Sequence, residues 1–310
     1  MKKYLNDKVR GLKMLKNIIK KTVKPKILKR NIKYLKSYYS EISQDEELKE
    51  DSLPFDENIL VLSPHQDDES IGLGATIIKL KENNCYVKVL YITDGRIKRD
   101  GIDEIEISKT RLKEADEAIK ILGVDDFEYI ECENLKVEDN LDIISKKIVE
   151  VLSDRKYKRI YTTAFSEYHI DHRGCSIALA RALDDKCDFD GEIFLYEINN
   201  SLQRGSINRY VQYPDDIAKI KHKAFKMYSS QKGISFEVVE LIERGKSNLG
   251  DGNFKNAELF LCIDAEKFIE VSKKNLSIFN KMKNATNFFR MIENYNYNKS
   301  FEKEILNLYK

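Results

Sequence analysis

The sequence predicts an α/β fold, a mostly parallel sheet with helices on both faces. Strand-length apolar runs alternate with stretches of helical apolar spacing through the middle of the chain, at intervals that fit one crossover helix each. With 310 residues there is room for one large domain of this kind.

Residues 1–24 place Leu5, Val9, Leu12, Leu15 and Ile19 at spacings of three and four among lysines, so they predict a basic amphipathic helix. Pro25 ends or kinks it. A second stretch carries Ile27, Leu28, Ile32, Leu35 and Tyr39, and the acidic run QDEELKED closes this arm near residue 50. Strands are predicted at 59–63 (ILVLS), 86–93 (YVKVLYIT), 127–131, 159–164 (RIYTTA) and 192–198. Helices are predicted at 69–83, 106–122, 139–152 and 173–185, with Gly123 suited to close the second. Residues 199–215 read as a loop, and the lysine- and asparagine-rich residues 265–310 as a peripheral helical extension. The expected division is therefore an arm (1–50), a central domain (51–264) and the extension (265–310).

Charge is unevenly spread. Of 54 basic and 52 acidic residues, 14 and one fall in residues 1–40, which leaves the rest of the chain at −11. A basic arm on an acidic body points to an anionic partner such as a membrane surface or a phosphorylated glycan; the blander reading is a solvated helix face packed on the body. The arm lacks Trp and clustered Arg, so no nucleic acid is expected. The five cysteines are odd in number, without CxxC spacing, and read as buried reduced thiols. With no signal-peptide core or membrane span in sight, the expected location is cytoplasmic, peripheral at the inner face of the membrane.

Three of the four histidines lie just past predicted strands: His65 in PHQDDE after strand 59–63, and His169 and His172 in YHIDH after strand 159–164. In open α/β sheets sites are built beyond the carboxyl ends of the strands. Two adjacent carboxylates beside an imidazole repel each other unless a cation intervenes. His65, Asp68 and His172 make a two-histidine, one-carboxylate donor set that suits catalytic zinc. Asp67 then stays free to take a proton from water. Fe(II) and Co(II) accept the same donors.

At this point the chain resembles the LmbE-like, or PIG-L, family of zinc-dependent N-acetylglucosaminyl deacetylases. Beyond PHQDDE and YHIDH, the resemblance rests on Thr93-Asp94-Gly95, on Arg111 and Glu114 ahead of Leu122-Gly123, on Lys221 to Gln231 (KHKAFKMYSSQ) and on Ala257-Glu258-Leu259-Phe260. It covers about residues 57–262; Ile170 stands where Pro is common. It implies a Rossmann-like sheet and removal of the N-acetyl group from an N-acetylglucosamine-type sugar conjugate or glycan precursor by a zinc-activated water. It also implies His65, Asp68 and His172 as metal ligands and Asp67 as general base. His169 would polarise the carbonyl, Asp171 would orient that imidazole, and Arg111 would contact substrate.

Blander readings stand beside these. Gly72 and Gly74 fit close packing better than a phosphate loop, His222 reads as a surface or helix-packing residue, and Arg111 with Glu114 as a helix ion pair. A non-catalytic sugar-binding protein and a 2-His-1-carboxylate Fe(II) oxygenase are the alternative functions.

Overall fold

The computed structural model describes residues 24–42, 48–97, 101, 103–186, 189–231, 236–246 and 256–309; most of the first predicted helix lies outside them. Helix α1 (Lys24–Ile42) leads to a short edge strand β1 (Lys49–Glu50). The predicted alternation follows as β2 (Asn58–Ser63), α2 (Asp68–Glu82), β3 (Tyr86–Thr93), α3 (Glu104–Leu122) and β4 (Asp126–Cys132). It continues through α4 (Leu141–Asp154), β5 (Arg159–Thr163), α5 (Ile170–Lys186) and β6 (Glu192–Tyr196). Next come β7 (Arg209–Tyr213), α6 (Asp215–Phe225), α7 (Phe236–Gly245) and β8 (Asn256–Asp264). Last are α8 (Ala265–Lys273), α9 (Met291–Lys299) and α10 (Glu302–Tyr309). Gly123 closes α3 at φ 79°, a left-handed conformation glycine adopts without strain.

The eight strands lie in the order β1-β7-β8-β6-β5-β2-β3-β4. The five predicted strands are parallel neighbours, and β8 runs antiparallel between β6 and β7. Where the sequence suggests a loop, RYVQY forms β7. Along β2 the side chains alternate: Ile59 and Val61 enter one core with Val89 and Phe194, Leu60 and Leu62 the other with Leu90 and Leu195. A strand covered on both faces reads as a continuous apolar run, which is why these strands are visible in the sequence.

The chain lays β2, β3 and β4 outward, then returns across β2 to place β5, with Ile59, Leu60 and Val61 registered against Arg159, Ile160 and Tyr161. Strand order reverses between β2 and β5. Their carboxyl ends therefore feed diverging connections and open a crevice between them.

Two expectations about the flanks need correction. Helix α1 is not a separate arm: Leu35, Tyr38, Tyr39 and Ile42 are buried in the same core as the sheet, and Asn31 Nδ2 donates to Phe288 O at 2.9 Å. Nor are residues 265–310 peripheral, since Phe268, Phe279, Met291, Tyr295 and Ile305 are buried in that core. Helical periodicity reveals an apolar face but not what covers it.

Helix α2 is broken at Leu73 (φ −145°, ψ 23°). The amides of Ala75 and Thr76 donate instead to Glu258 of β8 at 3.0 and 2.8 Å. Lys221 Nζ lies 2.7 Å from Glu258 and 2.6 Å from Glu243, and all three side chains are buried. A buried carboxylate needs such a partner. His222 hydrogen-bonds Glu243 at 2.6 Å. A Cβ on Gly72 would collide with the Tyr196 ring, so this glycine serves close packing.

Candidate metal centre

The loop from Pro64 to Asp68 joins β2 to α2. Pro64 O accepts from Thr93 N (3.1 Å) and Thr93 Oγ1 (2.9 Å), and Gln66 Nε2 donates to Thr93 O at 2.7 Å. Gly95 follows at φ 73°, where a Cβ would lie 2.5 Å from Gln66 Oε1 and 2.8 Å from Arg111 Cδ. The Thr-Asp-Gly turn thus braces the loop and needs its glycine. Asp67 takes φ 134°, a strained value for a non-glycine residue costing on the order of 1–3 kcal/mol. Glu69 compensates locally: its carboxylate accepts from Asp67 N (3.2 Å), Ser63 Oγ (3.1 Å) and Tyr228 OH (2.6 Å).

Three atoms from the two motifs form a nearly equilateral triangle. His65 Nδ1 to Asp68 Oδ2, His65 Nδ1 to His172 Nε2, and His172 Nε2 to Asp68 Oδ2 are each 3.2 Å. Ligands at 2.0–2.1 Å around a tetrahedral zinc stand about 3.3 Å apart. The donor set and its spacing therefore fit one such ion. The three histidines also bring one nitrogen each to within 4.8 Å of one another, a looser set. The triangle with Asp68 is the better match because its edges equal those of a filled site.

The outer contacts fix the tautomers. His65 Nε2 lies 3.1 Å from Asp171 Oδ2, and His172 Nδ1 lies 3.3 Å from Glu167 Oε2. A proton on each of those nitrogens leaves His65 Nδ1 and His172 Nε2 as lone pairs aimed at the triangle, the carboxylate–histidine arrangement of metal sites. Asp171 is held by Leu135 N (2.7 Å) and Val137 N (3.4 Å). Glu167, fully buried, accepts from the amides of Ile198 (2.6 Å) and Asn199 (3.0 Å).

Asp171 thus departs from its expected role. Its Oδ2 is 3.8 Å from His169 Nδ1, against 3.1 Å to His65 Nε2, and it contacts His169 through its backbone N–H, which donates to Nδ1 at 3.2 Å. With Nδ1 accepting, His169 keeps its proton on Nε2. Burial, with His65 and His172 nearby, lowers the His169 pKa to about 3, so the ring is neutral.

The electrostatics of the triangle are those of a cation site. Burial opposes charge on Asp68, yet His172 and His65 hold its carboxyl far below the usual range. Burial likewise opposes charge on His172, but Asp68 and Glu167 outweigh it and raise the pKa to about 10. Asp67 behaves oppositely: burial, then the adjacent Asp68, push it well above the ordinary value, against the pull of Arg111. Among the described residues, Asp67 Oδ2 has no hydrogen-bond partner.

These groups line a cleft of about 230 Å³, to which His65, Asp67, Asp68, His169, His172 and Arg111 all contribute. Arg111 Nη2 donates to Gln231 Oε1 at 2.6 Å, and Gln231 Nε2 to Gln66 O at 3.3 Å. Glu114 accepts from Ser230 N (2.8 Å) and Ser229 Oγ (2.8 Å), so α3 holds the Tyr-Ser-Ser-Gln turn against the loop. Asn199, Asn284 and Thr286 also line the cleft, and sequence reasoning assigned them nothing. Glu167 was missed as well, although it stands in the same loop as His169 and His172.

Residues 60–183 match the family model described as PIG-L, GlcNAc-PI de-N-acetylase. The diacetylchitobiose deacetylase of Thermococcus kodakarensis is 29% identical over 126 residues, 39% of this chain and 47% of that protein. The chain spans only 47–61% of the length of the curated relatives it matches. The structure of the N,N'-diacetylchitobiose deacetylase from Pyrococcus horikoshii superposes with a TM-score of 0.58 at 20% identity, covering 68% of this chain and 85% of that one. That of the 4-carboxy-2-hydroxymuconate hydratase GalB of Pseudomonas putida gives 0.59 at 16%, covering 67% and 96%. At these identities the two superpositions speak for the fold. The segment that matches the PIG-L family model thus runs from the central strand into α5 and carries His65, Asp67, Asp68, His169 and His172.

Proposed function

We propose that the protein is a metal-dependent amide hydrolase that removes the N-acetyl group from an N-acetylglucosamine-type sugar conjugate or glycan precursor. The observation that carries this reading is the 3.2 Å triangle of His65, Asp68 and His172 beside the unpartnered Asp67 oxygen. Those three residues would hold the ion. Zinc suits the donors and their spacing, and Fe(II) or Co(II) accept the same set. Bound there, the ion acts as a Lewis acid on the amide carbonyl and brings the pKa of water to about 7.

The chain's own groups do the rest. Asp67 accepts the proton of the attacking water and later delivers it to the leaving nitrogen; its raised pKa suits a group that must carry that proton between the two transfers. His169 donates from Nε2 to the carbonyl oxygen as negative charge grows there. Asp171 and Glu167 keep His65 and His172 in their ligating tautomers. Arg111, held by Gln231, faces the cleft where the acyl group or sugar lies. The C–N bond breaks, a C–O bond forms, and acetate and a free amine leave. The relative named for deacetylating diacetylchitobiose supports the substrate class.

Among the described residues Cys85, Cys132, Cys175 and Cys262 are free thiols, which suits a reducing, cytoplasmic setting. No described helix is long and apolar enough to cross a membrane. The test is a panel of N-acetylated sugar conjugates assayed for released amine and acetate with zinc, after chelation, and after zinc is restored. Acetate release that needs the ion but not oxygen is the expected result. Sugar binding without turnover, or an oxygen-dependent product, would overturn the reading.

A further inference from the structure

Helix α1 has two faces with opposite fates. Asn31, Leu35, Tyr38, Tyr39 and Ile42 are buried against the body. Lys26, Lys29 and Lys33, at spacings of three and four on the opposite side, are exposed, and α1 contains no acid before Glu41. Since its apolar stripe is already covered by protein, α1 cannot lie in a bilayer as an inserted amphipathic helix. What it offers is a fixed row of positive charge. Residues 1–23 ahead of it add eight Lys or Arg against Asp7.

One edge of that row adjoins the cleft. Arg30 Nη2 lies 3.5 Å from Phe289 O, and Lys24 Nζ lies 5.9 Å from the centre of the Phe288 ring. Phe289 is 56% exposed and is followed by exposed Arg290. Thr286, three residues earlier, lines the cleft. Three residues span at most about 11 Å of chain, so the aromatic edge of the basic face stands near the cleft rim. An exposed aromatic beside cations matches the headgroup layer of a membrane, where one end of the side chain meets apolar surroundings and the charges meet lipid phosphates.

We propose that the exposed row of α1, with Phe289 at its edge, docks the protein on an anionic lipid bilayer and sets the cleft beside the bilayer surface. The inference rests on the deacetylase reading for its purpose, since docking brings the cleft to N-acetylated sugars carried at the bilayer surface. Lysines as separate point charges fit a fluid anionic surface. Recognition of nucleic-acid phosphates favours forked arginine contacts, and the Arg30 fork is turned to Asn31 Oδ1 and Phe289 O.

The full chain is mixed with vesicles of pure phosphatidylcholine or rich in phosphatidylglycerol, at low and high salt, and sedimented. Binding should need the anionic lipid and weaken as salt screens it. Each basic residue at such a surface multiplies partitioning about fivefold, so K26Q/K29Q/K33Q should bind roughly a hundredfold more weakly. F289S should lose a smaller part that salt does not remove. Both variants should turn over a soluble N-acetylated sugar at the wild-type rate, while turnover of one carried at the bilayer surface falls in step with binding. Equal binding to neutral vesicles, wild-type binding by the triple variant, or binding of an oligonucleotide in place of vesicles would overturn the docking. Soluble turnover without vesicle binding removes the docking alone; vesicle binding without turnover of any N-acetylated sugar supports it and removes the deacetylase reading.

Discussion

Glu167→Gln isolates the tautomer argument. The native carboxylate is fully buried and accepts from His172 Nδ1 (3.3 Å) and from the amides of Ile198 (2.6 Å), Asn199 (3.0 Å) and Asn200 (3.5 Å). A glutamine keeps the volume but has one acceptor oxygen and an NH₂ group. That NH₂ must face either the backbone amides, leaving buried donors opposed, or His172 Nδ1. Facing Nδ1, it forces the imidazole proton onto Nε2, the atom that points at Asp68 and His65. A protonated Nε2 cannot ligate. Loss of such an outer contact typically weakens metal affinity 10–100-fold, which is about 1.4–2.8 kcal/mol. Without metal, the variant should lose no more than about 1–3 kcal/mol of stability from the unsatisfied donor. Competition with a chromogenic chelator measures the zinc Kd, and a thermal melt of the chelated protein checks that it folds. A folded variant that holds zinc as tightly as the wild type would refute the reasoning.

Asp67→Asn should keep zinc at wild-type affinity yet lower deacetylation by about 10²–10⁴, read as kcat with metal content measured alongside. The chelated protein should lose stability as pH rises from about 6.5 toward 10. His172 is raised to about 10 from an unfolded value near 6.5, so its contribution is complete below 6.5 and gone above its folded pKa. Over the same range the increase in Tm on adding zinc should grow, because protons cease to compete for the ligand; a flat or opposite trend would contradict this. Lys221→Met leaves Glu258 and Glu243 buried without their cation and should cost about 3–5 kcal/mol, a drop in Tm on the order of 10 °C by calorimetry.

What could be read from the sequence follows from what local spacing encodes. The five parallel strands are continuous apolar runs because both faces are covered, and their helices fill the intervals between them. Strands β7 and β8 were not predicted, since nothing local says that a strand from near residue 260 inserts antiparallel beside β6. His65, Asp67, Asp68, His169 and His172 were legible because histidine is scarce and these positions follow strands. Glu167 carries no such signal: in a chain so rich in acids, its role depends on the amides of residues 198–200, which only the fold brings near. The same holds for Asp171, whose partner is chosen by the placement of the β2–α2 loop rather than by its neighbour two residues away. In the basic arm the apolar face was visible and its covering was not, so packing on the body and binding to a membrane surface both fitted the spacing.

The break in α2 ties the matched segment, residues 60–183, to a strand that lies outside it. The carboxylate that receives the freed amides of Ala75 and Thr76 sits on β8, some 75 residues past the end of that segment, and Asp68 heads the same helix. Residues 60–183 contain every proposed ligand but not the strut that holds one of them. Excised, they would have the proposed donors on an unbraced helix, so the matched portion is smaller than the portion that must be synthesised to hold those donors in place.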